Sequence, residues 1–251
     1  MVNLTRKQRE LLRREDLILN VTRELLLDLG YHGLTMERIA EAMEYSKGTI
    51  YQHFPCKEEV LTELGMRIFQ KQLELFDRSV RFDGRSRERM AALGEAGEVF
   101  VRLYPDDFRI LHIIRAEVIT RKVSQERLMK MRDAEYHLFA LMTGVVNEAM
   151  ALGELILPPD RSVEELVFGL WALTDGGYGT IVRTIPMVET GIKDLFHSIM
   201  NVCDVLGDGY GWRPLTSEWD YEATRARIRA TLFPVEMREL ERRQLDEAVG
   251  A

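Results

Sequence analysis

Apolar residues recur at intervals of three and four along almost the whole chain, the pattern of α-helices that each bury one face. From Arg13 to Leu29 they fall at Leu17, Ile18, Val21, Leu25 and Leu29, and Gly30 supplies a natural stop. Two short helices follow. The Thr35 hydroxyl can cap one over about Met36 to Met43, with Ile39, Ala40 and Met43 facing inward. Glu44-Tyr45 makes a tight turn, and Ser46 caps a helix that ends near His53, with Ile50, Tyr51 and Phe54 on its apolar side. Helices this short do not hold singly in water, so they must share one small core.

Pro55 closes that third helix, because the residue before a proline is driven out of the α region. A long helix then runs over 57–82 with Val60, Leu61, Leu64, Ile68, Leu75 and Phe76 inward, and Asp83-Gly84 ends it. Further helical patterns cover 86–103, 106–121, 124–152, 162–184, 188–206, 217–232 and 235–249. Ser124 and Ser162 are candidate N-caps, the latter forming a capping box with Glu165. No strand pattern or internal repeat stands out. The expected fold is all-α: a three-helix domain at residues 1–58 containing a helix-turn-helix, joined by the long helix to a larger C-terminal helical domain at 59–251.

Charge qualifies this picture through its distribution. The net charge is −7, yet residues 1–14 carry +4, which leaves −11 for the remainder. A basic arm on an acidic body suits a protein that touches nucleic acid with one end; the alternative is a solvated tail. No apolar run approaches the roughly 18 residues of a membrane helix, and the N-terminus lacks a signal-peptide core, so a cytoplasmic protein without membrane partners is expected. Cys56 and Cys203 suggest neither a metal site nor a disulfide framework.

The chemistry concentrates in residues 35–57. A helix-turn-helix lays its second helix end-first into the major groove, and base contacts come from the N-terminal part of that helix. Lys47 and Thr49 stand there, and Gly48 lets the backbone approach closely. Tyr51 and His53 carry donors for phosphate oxygens. Thr35 and Ser46 begin helices, where free amides and the dipole favour an anion, and Lys57 adds a full charge. Taken singly, each residue reads better as a helix cap or a solvated side chain; their joint spacing reverses that.

With Gly30-Tyr31, Leu34-Thr35-Met36, Ile39-Ala40, Ser46-Lys47-Gly48-Thr49-Ile50-Tyr51, His53-Phe54 and Lys57-Glu58 in fixed register, residues 19–61 resemble the TetR (AcrR-like) family of bacterial transcriptional regulators. The resemblance implies DNA contacts from Thr35, Ser46, Lys47, Gly48, Thr49, Tyr51, His53 and Lys57, with Ile50 and Phe54 in the core. The chain departs from the family pattern twice. Met43-Glu44-Tyr45 replaces the usual Ala-Gly-Val, so a left-handed turn at Glu44 should cost about 1 kcal/mol and its charge faces DNA. Cys56 stands where Ser, Asn or Asp is usual, and is a weaker cap.

In the C-terminal two-thirds, the helix from Ser162 places Gly169, Leu173, Gly176 and Thr180 along one face. Each mid-helix glycine costs about 1 kcal/mol relative to alanine, which close approach of another helix would offset. With Leu195, Ile199, Val202 and Leu206 they outline a dimer interface of two helices from each subunit, as the resemblance also implies. Both stripes could instead be core of one chain, but a reader of one half-site needs a two-fold partner. Tyr104, Phe108, His112, Arg115, Met142, Trp171, Asp175 and Tyr178 are candidates for an effector pocket, mostly apolar with a few polar fixtures. Aromatics at this spacing also read as core, and Arg115 with Asp175 or Glu117 as a structural ion pair.

The resulting expectation is a homodimeric, sequence-specific DNA-binding transcriptional regulator, a repressor released from its operator by a small-molecule effector and needing no cofactor or metal. An all-helical enzyme is the second reading. Its five histidines, at 32, 53, 112, 137 and 197, form no HExxH or paired-ligand spacing, and no nucleophile elbow or phosphate loop is present. A helical adaptor without DNA binding is the third, favoured by the acidic balance and Glu44.

Overall fold

In the computed structural model, which describes residues 5–116, 122–182 and 191–250, every regular element is a helix. In chain order these are α1 (Arg6–Gly33), α2 (Met36–Ala42), α3 (Lys47–His53), α4 (Lys57–Ser79), α5 (Ser86–Leu103), α6 (Pro105–Ala116), α7 (Gln125–Ala151), α8 (Val163–Ile181), α9 (Leu195–Gly209), α10 (Tyr221–Leu232) and α11 (Pro234–Gly250). The chain divides into two units, Met1–Gln70 with Arg109–Ala134 and Lys71–Phe108 with Glu135–Ala251. Helices α4, α6 and α7 therefore contribute residues to both. No helix among the described residues is long and apolar enough to cross a membrane.

Helix α1 starts earlier than the apolar pattern predicts. The Thr5 hydroxyl accepts the Gln8 amide (3.2 Å) and the Gln8 side chain accepts the Thr5 amide (2.8 Å), a capping box in which Gln takes the place of Glu. Residues 6–14, expected as a basic arm, are instead the exposed first turns of this helix. Its buried face is also rotated from the predicted stripe: Ile18, Leu19, Thr22 and Leu26 are buried, whereas Leu17 and Leu29 are exposed. Three consecutive leucines at 25–27 make the apolar arc too broad to locate its centre, and a threonine occupies that centre. The regular helix breaks at Gly30, whose φ of +67° favours glycine. Ile39 and Ala40 of α2, Ile50 and Phe54 of α3, and Val60, Leu61 and Leu64 of α4 are likewise buried in this unit.

In the second unit α5 packs against α8, α9, α10 and α11. Its apolar core joins Leu93 to Met142, Val145, Val146 and Ala149 of α7, Leu166, Val167 and Leu170 of α8, and Trp212. Helix α5 also buries the carboxylates Glu88, Glu95 and Glu98. Arg229 of α10 forks onto Glu95 (2.5 and 3.1 Å), whose side chain is fully buried. Burial outweighs this pairing and pushes the Glu95 carboxyl up to about 7. Folded Glu95 thus keeps a proton that the unfolded chain releases near pH 4.5, so its stabilising contribution is complete below that pH and disappears as pH rises through about 7. Glu95→Gln should accordingly flatten the decline in unfolding midpoint between about pH 4.5 and 7, as followed by urea melts at stepped pH.

Helix ends differ where a cap was misplaced. Helix α4 stops at Ser79 before a further turn, and α10 begins at Tyr221 because Asp220, not Ser217, accepts an amide of its first turn (Ala223, 2.9 Å). Helix α9 begins at Leu195 under an Asp194 cap, so Ile192 lies outside it. Glu117, the predicted helix end at 117–121, Pro186 and the predicted helix boundaries at 184 and 188 lie outside the described residues.

Candidate nucleic-acid interface

The α2–turn–α3 unit is built by caps. Thr35 accepts the Arg38 amide and Ser46 accepts the Thr49 amide, each at 3.2 Å, as the sequence predicts. Between them the Tyr45 amide donates back to Ala40 (2.9 Å) and the Glu44 amide to Glu41 (3.0 Å), which is the Schellman closure of a helix. Glu44 occupies its left-handed position with φ +54°, where a side chain is strained and glycine is the usual occupant. Glu44→Gly should raise the denaturant stability of this unit by about 1 kcal/mol. No gain on chemical denaturation would mean that the carboxylate makes a compensating interaction.

The exposed side of α3 presents Ser46, Lys47, Gly48 and Tyr51, with Thr49 half-buried. Helix α3 is seated by the fully buried Ile50 and Phe54. Lys47 reaches Glu37 of α2 at 3.1 Å across an exposed pair, and the Ser46 and Thr49 hydroxyls lie 2.8 Å apart. Glu37 is held below the usual carboxylate range by its own backbone amide and by Lys47. A Cβ at Gly48 would meet only the Ser46 hydroxyl, at 3.8 Å, so this turn is open to close approach.

Two of the predicted contact residues are placed differently from expectation. The His53 side chain is only 3% exposed, and its Nδ1 lies 3.6 Å from Glu15 of α1. Lys57 donates to the carbonyls of Tyr31 (2.7 Å) and Leu34 (3.0 Å), with its ammonium 4.0 Å from the centre of the Tyr31 ring. It thereby satisfies carbonyls at the end of α1, which the sequence did not reveal. Thr35, Tyr51 and Lys57 nevertheless line one open notch of about 270 Å³, together with Lys122.

Several residues that shape this surface were not anticipated. Tyr31 donates its hydroxyl to Glu58 (3.0 Å), and Lys122 lies 3.3 Å from the same carboxylate oxygen. Burial would raise the Glu58 pKa, but its own amide, Tyr31 and Lys122 together hold it below the usual range. Burial pushes the Cys56 thiol up despite the pull of nearby amides, which keeps it a thiol rather than a thiolate.

In the second unit α8 and α9 run antiparallel. A Cβ at Gly177 would lie 2.6 Å from Ile199, and one at Gly169 would lie 3.7 Å from Leu206. The close approach inferred from the glycines is thus made within the chain, at Gly177, whereas Gly176 faces open space. Of the other residues assigned to a dimer interface, Thr180 and Val202 are exposed, and Leu173, Leu195, Ile199 and Leu206 are half-buried. Phe168 (59% exposed) and Val205 (68%) join them on the outside, at positions the apolar spacing does not single out.

The effector candidates do not form one described group. Phe108 and Tyr178 are buried edge-to-face at 6.3 Å, and the Tyr178 hydroxyl donates to the Gly94 carbonyl (3.2 Å). Met142 is core, with Trp171 packed beside it and 5.3 Å from Phe139. Tyr104 lines an open groove of about 510 Å³ and lies under the Lys71 ammonium at 4.1 Å. Asp175 is half-buried. His112 and Arg115 belong to the first unit, where the Arg115 guanidinium stacks on Phe69 at 5.2 Å.

Comparison with known proteins bears on the same surface. Residues 18–64 match the bacterial regulatory proteins, tetR family. The fatty acid metabolism regulator protein of Bacillus subtilis is 21% identical over 180 residues, covering 68% of this chain and 90% of that protein. The HTH-type transcriptional regulator TcmR of Streptomyces glaucescens is 44% identical over 54 residues, 22% of this chain and 24% of its own length. A transcriptional regulator of the TetR/AcrR family from Thermobifida fusca YX-ER1 shares the fold with a TM-score of 0.56 at 24% identity, covering 79% of this chain and 98% of that one. All three names are those of regulators, two of them transcriptional, and the N-terminal match covers the capped α2–turn–α3 unit. Residues 18–64 thus carry the match to the tetR family of bacterial regulatory proteins, the chain shares the fold of a TetR/AcrR-family structure, and together these support a DNA-binding regulator.

Proposed function

We propose that the chain acts as a homodimeric repressor that reads an operator half-site with α3 and leaves it when a small-molecule effector binds the C-terminal helices. The observation that carries this reading is the exposed start of α3, with Ser46, Lys47, Gly48 and Tyr51 displayed beside the half-buried Thr49 on a helix that Ile50 and Phe54 seat in the core. Base edges are read by Lys47 and Thr49. Thr35, Ser46, Tyr51 and Lys57 position the helix on phosphates, Lys57 through its charge while it caps α1. The DNA-binding domain spans residues 1–58 and the effector and dimerisation domain spans 59–251. Effector release requires only that the ligand bind the two conformations with different affinity.

In vitro selection from random duplexes with the full chain tests the reading. The expected product is a two-fold symmetric site bound with steep salt dependence, because phosphate contacts release counterions. Selection that yields no enriched sequence would overturn it. The relative named as a fatty acid metabolism regulator makes fatty acids the first effectors to titrate against the selected duplex.

A further inference from the structure

We infer that Arg127, with Ser124 and Lys122, is a positioning residue for the recognition helix, clamping the corner between α3 and α4 from a site some seventy residues downstream. Phe54 is the C-cap of α3, with its amide donating to Ile50 (3.0 Å) and its ring buried. The Arg127 guanidinium lies 5.2 Å from the centre of that ring, within cation–π range. The same guanidinium bonds Glu59 (2.8 Å) and Glu63 (2.6 Å) of α4. The other oxygen of Glu59 accepts the Ser124 amide at 2.6 Å, just before α7 begins. One residue past Pro55, the Cys56 thiol donates to the Lys122 carbonyl (3.5 Å), and the Lys122 ammonium faces Glu58.

Glu58 and Glu59 are buried in the first turn of α4, and buried carboxylates need partners. Those of Glu59 come from Ser124 and Arg127, and Lys122 joins Tyr31 of α1 on Glu58, so the corner is closed largely by a distant segment rather than by local turn chemistry. Helix α3 has only seven residues, roughly 10 Å of length. With Ile50 seated near its middle, release of the Phe54 end tilts the Lys47 end. Base-edge hydrogen bonds depend on distance and direction within narrow limits. Attraction to phosphates tolerates the tilt, so removal of the clamp should cost sequence-specific binding and spare non-specific binding.

This rests on the DNA-binding reading above. The test uses the full chain, a duplex selected in vitro by the wild type and a random duplex, with affinities measured by fluorescence anisotropy. Arg127→Ala should weaken the selected duplex by at least about fivefold, in the range of one impaired base contact, with the random duplex unchanged. A smaller loss, or equal weakening of both duplexes as general damage would produce, overturns the inference. If Arg127→Ala does not fold, Glu59→Gln serves instead, since it keeps an acceptor for Ser124 but loses one of the two charges that hold Arg127. It should show the same selective loss, and wild-type binding to both duplexes would overturn the clamp. A wild type that selects no duplex overturns the DNA-binding reading and the clamp with it, an outcome distinct from a wild type that binds while the variants bind equally well.

Discussion

Replacing Lys47 and Tyr51 together by alanine is expected to reduce affinity for the selected operator by at least about a hundredfold, while particle mass and melting temperature stay unchanged. The magnitude follows from counting. Each truncation removes one contact per half-site, two such contacts are lost on each of two half-sites, and single contacts of this kind are worth about 1–3 kcal/mol. At about 1.4 kcal/mol per decade of affinity, two decades is a conservative sum. Stability is spared because neither side chain contributes to the core: Tyr51 is 46% exposed, and Lys47 pairs with Glu37 across an exposed gap of 3.1 Å. Exposed pairs of this sort contribute little to folding. The seating of α3 is left to Ile50 and Phe54, which the variant retains. Anisotropy titrations on the selected and random duplexes, with light scattering on the same samples, provide the check. Unchanged operator binding with an intact fold would remove α3 as the reader.

What could be read beforehand on this surface is what local rules govern. The Thr35 and Ser46 caps and the left-handed Glu44 depend on residues within five positions of one another, and all three stand as expected. Chemistry set by distant neighbours was not legible. Lys57 reads as a phosphate donor alone, because nothing nearby in sequence reveals that the carbonyls of Tyr31 and Leu34 also meet its ammonium. His53 turns inward to Glu15, thirty-eight positions back, and Arg127 reaches Phe54 from seventy-three positions ahead. Apolar periodicity fared similarly. It located α1 but misplaced its buried face, because Leu25, Leu26 and Leu27 blur the arc around Thr22. On α9 it merged two faces: Met200, Cys203 and Leu206 turn inward, whereas Val202 and Val205 turn out.

That outward face carries the second large effect. Because α8 and α9 pack on each other and both pack on α5, their sides away from α5 form one surface holding Phe168, Gly176, Thr180, Val202 and Val205. Phe168 at 59%, Val202 at 50% and Val205 at 68% exposure leave three large apolar side chains of these two helices in water. A second copy related by a two-fold axis would cover each of these residues with the same surface turned around, as in a four-helix interface. Val202→Asp with Val205→Asp then places four carboxylates in the paired interface, counting both subunits. At roughly 2 kcal/mol for each poorly compensated polar group, dimer affinity should weaken by well over a thousandfold. Light scattering at micromolar concentration should give twice the 29.1 kDa of one chain for the wild type and 29.1 kDa for the variant. Operator binding should fall with it, since a monomer reads one half-site and forfeits the gain of linking two. Both substituted side chains start from exposed positions, so the variant should retain its helical content and melt cooperatively. A variant that remains at twice the monomer mass would place the dimer contact elsewhere and leave these valines as ordinary surface.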